Sequence, residues 1–493
     1  MSGNLRRLGG VLTHMKTIRV IAAALALGAC SANAAGTSPI APTAPAPTTV
    51  PPRTTTATTN ATAPTTTTTA TTATTNATAP TIATTATAAT ADPAVGVPGS
   101  TVTFGPMPNI AVVSADGRVA VVHDGVLAAA QKGLLAADGS SVITTTTTTT
   151  TTTSGAARTT VVWQGIREGS ELARLSLAGD LTAVATDPTG KSVAFTEPNS
   201  ASPGGTEVVI ATPEGEQFRH AYSSELLPEG FSNIYTDSAS VPAGLFVIEY
   251  LDPPPSDITA PRRYHVRVLD TSSGELALPL DLRDKSQTVD EQMLGFSRTH
   301  VLSPRNGLLF TLYRGIDSDE KDYAFVHTLG FVNGVYCLDL PQQLGLATLP
   351  GAVALLDDET QLAVVSANGV VSEFRISDIT DSPKTPQPLQ TKSVWPGANP
   401  TGPAVAAGGD TLLVGQDDAL RWIDAKTLTI RAERHWDMQI EAVALTANGN
   451  AIAAGTGRVS EITPDGQLAA ELPLPANFGR VSRVVFLGTA SHS

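Results

Sequence analysis

The sequence predicts an all-β domain assembled from a repeated four-stranded antiparallel unit, and three features of its 493 residues carry that expectation. Short apolar runs of strand length recur along the chain. Tight turns rich in Gly, Asn and Asp separate them, and such turns readily adopt the positive φ angles that hairpins need. The corresponding turn returns about every 40 to 65 residues, a period suited to a four-stranded unit with loop insertions and too long for one coil of a solenoid.

In chain order, the first element lies outside that domain. Lys16 and Arg19 precede the apolar run Val20 to Leu27, the order of charge and apolarity that marks an export signal. Counted up to Cys30, the apolar stretch is about ten residues, half of the roughly 20 that span a bilayer as a helix, so it reads as a signal core and not as an anchor. Met15-Lys16-Thr17-Ile18-Arg19 would make a complete start by itself. The other start is Met1, where Arg6-Arg7 is poorly continued by Leu8-Gly9-Gly10 as a twin-arginine signal. Leu27-Gly28-Ala29-Cys30 follows, a branched apolar residue, two small residues and Cys, and this stretch resembles the lipobox of bacterial lipoproteins. The resemblance implies that residues 1–29 are a signal peptide and that Cys30 is lipidated as the new N-terminus. The protein would then be held on the outer face of the cytoplasmic membrane. A rival reading takes Ala32-Asn33-Ala34 as an ordinary cleavage site and yields a secreted protein.

Residues 31–91 contain a single charged residue, Arg53, and consist almost wholly of Thr, Ala and Pro. Such a composition offers no core to bury, so residues 30–100 are expected to form a disordered Thr/Ala/Pro-rich tether. Fully extended at about 3.1 Å per residue, some 60 residues would reach on the order of 190 Å. Dense threonine also invites O-glycosylation.

The folded part, 101–493, opens with the strands Ile110 to Val113 and Val119 to Val122 around a turn at Gly117. An unbroken threonine tract, Thr144 to Thr153, comes next. β-Branched Thr favours extended backbone and could pair as an outer strand, but the expectation is a loop at 144–153. Thr186-Asp187-Pro188-Thr189-Gly190 then leads into Lys191 to Phe195, and Leu302 to Gly307 leads into Leu308 to Leu312. Ala354 to Val365, turned at Asp357-Asp358-Glu359, precedes Gly369 to Ile376, and Val405 to Gln416, turned at Gly408-Gly409-Asp410, precedes Ala419 to Thr427. The clearest unit has strands at Ile440 to Leu445, Asn450 to Gly455, Arg458 to Ile462 and Gln467 to Leu474. Turns near residues 117, 190, 240, 306, 358, 409 and 448 count seven units, with six and eight as the alternatives. Val481 to Leu487 remains as a lone strand, expected to complete the unit begun at Ile110 and so to close the set without an open sheet edge.

Within these units, Tyr264 to Glu275 and the stretch around Trp422-Ile423-Asp424 run apolar, apolar, Asp, then a small polar turn. The pattern resembles the strand-turn segment of YVTN-type and WD-repeat-like β-propellers and spans most of residues 108 to 488, although the YVTN tetrapeptide itself is absent. The resemblance implies a closed β-propeller of seven four-stranded blades, and it bears on fold far more than on function.

Charge and chemistry narrow the function classes. The formal net charge is −14, and removal of Arg6, Arg7, Lys16 and Arg19 with the signal leaves about −18. An acidic surface of this kind is repelled by nucleic acid and by anionic lipid headgroups. Of two cysteines, Cys30 is assigned to the lipobox, which leaves Cys337 in a predicted strand as a buried, inert thiol. His123, His220, His265, His300, His327 and His435 are scattered singly, at no spacing that puts a pair on one face of one element. No Gly-x-Ser-x-Gly elbow and no phosphate loop occur. Asp317-Ser318-Asp319-Glu320-Lys321-Asp322 fails the calcium-loop pattern, because Lys321 takes a ligand place and Asp322 stands where the turn needs Gly. The aromatic stretch His327 to Phe331 reads as core. No catalytic, cofactor or metal residues are therefore assigned, and Cys30 is the one site residue. The expected function is that of a monomeric, lipid-anchored binding or scaffolding module for a protein or envelope polymer. The alternative is a propeller enzyme, a hydrolase, lactonase or quinone-dependent oxidoreductase, working at the central channel.

Overall fold

The structure is a computed structural model. It describes residues 106–488 except the stretches 129–130, 137–139, 150–156, 167–169, 188–189, 233–243, 254–261, 317–321, 331–333 and 398–400 and positions 285, 291, 304 and 383. The export signal, Cys30, the tether, the turn near residue 240 and most of the acidic run at 317–322 lie outside the described residues.

Regular structure among the described residues is strand, apart from a 3-10 turn at Gln342–Leu344 and a short α-helix at Ile376–Thr380. No helix among them is long and apolar enough to cross a membrane. Hydrogen bonding sorts the strands into six sheets. Four of these are four-stranded antiparallel meanders in sequence order, at 182–221, 351–393, 404–435 and 442–473. The eight-stranded sheet contains two further groups of four. Group 1 joins Val481–Gly488, Asn109–Ser114, Arg118–His123 and Val126–Leu127, and group 2 joins Gln131–Leu135, Ser141–Thr149, Ala157–Gly165 and Glu171–Ala178. The nine-stranded sheet contains the last two. Group 4 is Glu225–Ser232, Gly244–Tyr250, Arg262–Asp270 and Leu276–Ala277; group 5 is Gln292–Ser303, Leu308–Ile316, Asp322–Gly330 and Gly334–Asp339. In chain order the meander at 182–221 is group 3 and those at 351–393, 404–435 and 442–473 are groups 6, 7 and 8. The all-β class and the four-stranded repeat are as expected.

Among the described residues eight groups stand where seven were counted, and the uncounted one is group 2. The sequence between its first two strands carries Asp138-Gly139, the same signal used elsewhere, but its second strand takes in Thr144–Thr149 of the tract that was read as a loop. For Thr144–Thr149 that reading is corrected by the pairing, in which Thr144 lies opposite Val162, Thr146 opposite Thr160 and Thr149 opposite Ala157, while 150–153 lie outside the described residues. Extended backbone suits a β-branched residue at every one of these positions.

Turn chemistry repeats with the strands. In several hairpins a side-chain oxygen at the turn's start accepts the N–H four residues on. Ser114 Oγ accepts from Arg118 N at 2.8 Å, Asp187 Oδ1 from Lys191 N at 2.8 Å and Thr446 Oγ1 from Asn450 N at 3.0 Å. Gly449 sits inside such a turn at φ 80°, a conformation that a side chain opposes. In the two propeller-like segments the predicted Asp organises the turn. Asp270 accepts from Ser272 N at 2.8 Å and Ser273 Oγ at 3.0 Å, while Asp424 accepts from Lys426 N at 3.0 Å and Thr427 N at 2.8 Å.

Apolar side chains pack between successive groups and not within them. Val161, Trp163 and Leu177 of group 2 meet Val193, Phe195 and Val209 of group 3, and the same arrangement recurs to groups 7 and 8, where Leu413 and Trp422 meet Val443 and Ile452's neighbours Ala451 and Ala453. Group 8 packs on group 1 through Ile452, Val459, Ile110 and Val484, and group 1 packs on group 2 through Ala111, Val119, Leu135 and Val142. Two tryptophans tie a third strand to the first turn of the following group. Trp163 Nε1 donates to Gly190 O at 3.1 Å and Trp422 Nε1 to Gly449 O at 2.9 Å. The C-terminal strand pairs with the first strand of the domain as expected, with Val113 opposite Arg483 and Ile110 opposite Phe486.

Candidate functional site

Group 2 exposes the most distinctive surface. Along Ala157–Gly165 the side chains at Thr159, Val161 and Trp163 are buried, while those at Thr160, Val162 and Gln164 alternate to the other face and remain half-exposed. That second face turns toward group 1, whose outermost strand, Val126–Leu127, is too short to cover the nine-residue strands opposite. The result is a groove of about 460 Å³. Thr144, Thr146, Thr160, Val162 and Gln164 form its floor, and Gln131, Glu171 and Arg174 stand at its sides. Arg174 Nε donates to Glu171 Oε1 at 3.0 Å, so the ends of the groove are charge-balanced and its floor is neutral. Hydroxyls and amides at strand spacing offer repeated donors and acceptors and contain no paired nucleophile and base.

A second polar cluster lies between groups 4 and 5. Glu229 is the extra residue of a bulge in Glu225–Ser232, between Pro228 and Gly230, and the bulge aims it at group 5. Tyr313 Oη donates to Glu229 Oε1 at 2.6 Å, and Oε2 is shielded from solvent without a partner. Burial pushes the Glu229 carboxyl up to about 7, with the Tyr313 bond pulling the other way. Tyr313 stacks on Tyr264 and Phe325 at 5.6 and 5.4 Å, and His327 meets it edge-on at 5.8 Å. His327 is 1% exposed, and burial holds it down to about 4, so it is a neutral core residue, as the reading of its stretch anticipated.

The other histidines have separate surroundings. His123 lies 3.2 Å from Asp124, His265 3.2 Å from Asp290 and His435 3.2 Å from Asp418, while His220 packs against Tyr222 at 4.7 Å. His300 lies on Gln292–Ser303, the first strand of group 5. No group of three or more His, Cys, Asp or Glu side chains among the described residues is placed to hold a metal ion. Cys337 lies in the expected strand, Gly334–Asp339, but it is disulfide-bonded and not the inert free thiol predicted from the sequence. Neither the Glu229 cluster nor the threonine face was found from the sequence. Glu229 stands in an unremarked Pro-Glu-Gly triplet, and the tract lacks the alternation that marks a strand face.

No family model and no curated protein matches the chain. Several solved structures are similar to it. The dihydro-heme d1 dehydrogenase NirN in complex with DHE matches at 14% identity over 80% of this chain and 78% of that one, with a TM-score of 0.42. BamB from Moraxella catarrhalis matches at 13% identity over 74% and 91%, with a TM-score of 0.37. AztD from Citrobacter koseri matches at 11% identity over 76% and 96%, with a TM-score of 0.42. These are β-propeller proteins. The fold assignment for this chain rests on its own strand pairing.

Proposed function

We propose that the chain is a lipid-anchored, extracytoplasmic β-propeller whose eight groups are the blades of a closed ring, and that it binds a hydroxyl-rich envelope polymer along the threonine face of group 2. The observation that carries the binding reading is the uncovered neutral floor of Thr146 and Thr160, with buried Thr144 at its inner end and Gln131 and Gln164 beside it. Closure is supported by the packing of group 1 on both group 8 and group 2. Binding is favoured over catalysis by the first strands of groups 6, 7 and 8, which read Gly-Ala-Val-Ala-Leu-Leu at 351–356, Ala-Val-Ala-Ala-Gly at 404–408 and Ala-Val-Ala-Leu at 442–445. Such strands offer the central space few groups for acid–base work.

The test is co-sedimentation of the full chain with insoluble cell-wall polysaccharide. Thr146→Val with Thr160→Val keeps shape and β-propensity and removes two hydroxyls, and it should weaken binding about tenfold, as loss of two hydrogen bonds does. Undiminished binding by that variant, or none by the parent, would sink the reading. Mass analysis of the mature protein tests the anchor separately. A diacylglyceryl adduct on Cys30 supports it, and recovery of Cys30 in a reducible bond rules it out.

A further inference from the structure

Most arginines of this acidic protein are held by carboxylates, among them Arg262 by Glu225 at 2.8 Å and Arg421 by Glu433 at 3.0 Å. Arg483 and His300 are not. Each lies on the first strand of its group, Arg483 on Val481–Gly488 of group 1 and His300 on Gln292–Ser303 of group 5. First strands neighbour one another from group 5 through groups 6, 7 and 8 to group 1, so these strands border a common space. Among the described residues neither side chain forms a hydrogen bond or an ion pair, and solvent reaches both. They are nevertheless desolvated: burial holds His300 down to about 4, with the Arg483 charge adding to the effect, and burial lowers Arg483 as well. Side chains that water touches but protein surrounds line an enclosed, wet space. Two cationic or donor groups bordering that space, in a chain of net charge −14, lack the counter-charge found at most of the described arginines.

We propose that the space bordered by Val481–Gly488 and Gln292–Ser303 binds a small carboxylate or phosphate, held by the Arg483 guanidinium fork and a ring N–H of His300. The planar fork matches two oxygens of either anion, and the small apolar neighbours at 404–408 and 442–445 leave room and offer no competing charge. The inference rests on the ring reading. It requires Arg483 and His300, on strands that are not paired, to share one chamber.

Calorimetric titration of the full chain with inorganic phosphate and, separately, with citrate, at fixed ionic strength in chloride, tests it and distinguishes the two anion types. Saturable binding of at least one anion is expected, weakened about tenfold or more in Arg483→Gln and less in His300→Phe. Flat titrations, or equal binding by an Arg483→Gln variant that melts like the parent, overturn the site. Removing residues 480–493 separates the causes through stability alone. An unchanged melting temperature of the truncated chain would mean that the ring itself is wrong, whereas a lowered one together with flat titrations of the full chain would retain the ring and reject the anion.

Discussion

Glu229 shows how a single residue couples packing to solution conditions. Its folded value near 7 lies above the ordinary 4.5, so the folded state holds the proton more tightly than the unfolded chain. The stability this contributes is complete below about pH 4.5 and is lost as pH rises through 7, a change on the order of 3 kcal/mol. His327 works in the opposite sense. Its folded value near 4 lies below 6.5, so its contribution is present above pH 6.5 and is lost as pH falls through 4. The two slopes oppose each other across the same window. Glu229→Gln keeps an oxygen for Tyr313 and removes the titration, so the variant should gain stability relative to the parent as pH rises from 5 to 7.5. Melting temperatures across that range are the measurement, and parallel curves for the two proteins would contradict the shift. The Asp residues that build turns, Asp270 and Asp424, were legible because their task is local and their partners lie within three residues. Glu229 was not, because its partner Tyr313 is 84 residues away.

The second strand of group 2 marks the limit of pattern reading at the scale of an element. Strand recognition depends on alternation, and ten identical residues alternate with nothing. Register in the tract comes from its inner end, where buried Val142 and Ile143 lie opposite Gln164 and Trp163 and hold the following threonines in step. Strand and loop readings separate on one substitution. Thr148→Pro should lower stability by about 3 kcal/mol, since proline removes an amide that faces the paired strand Ala157–Gly165 and clashes with the pleat. A melting temperature within a degree of the parent would show that the tract behaves as a loop. The last group, at 442–473, was legible nearly to the residue, because Asn448-Gly449, Thr456-Gly457 and Asp465-Gly466 separate four short strands of ordinary alternation.

Across the whole molecule the repeat was legible and its number was not. Count depends on how strands are shared between groups. Group 1 takes its innermost strand from the far end of the chain, and group 2 hides behind the tract, so turn counting loses one. The inter-group tryptophan bonds carry the period better than the turns do, since Trp163 and Trp422 occupy equivalent strands. Deleting residues 480–493 removes Val481 and Val484 from the core shared by groups 8 and 1 and strips the partner from Asn109–Ser114. Each of the two valines is worth about 1.5 to 3 kcal/mol of burial, so the truncated chain should melt well below the parent or fail to accumulate. Equal melting temperatures would be incompatible with a shared first group.

The same pairing sets a timetable for synthesis. Ile110 and Phe486 lie opposite each other although about 380 residues separate them. At roughly 5 to 20 residues per second the early partner waits on the order of 20 to 75 seconds for the late one. During that interval the amides and carbonyls of Asn109–Ser114 stand open on one side, available to the C-terminal segment of another copy that is finished first. Crowded expression should therefore produce exchanged dimers, and slower initiation should suppress them, without any change in the finished monomer.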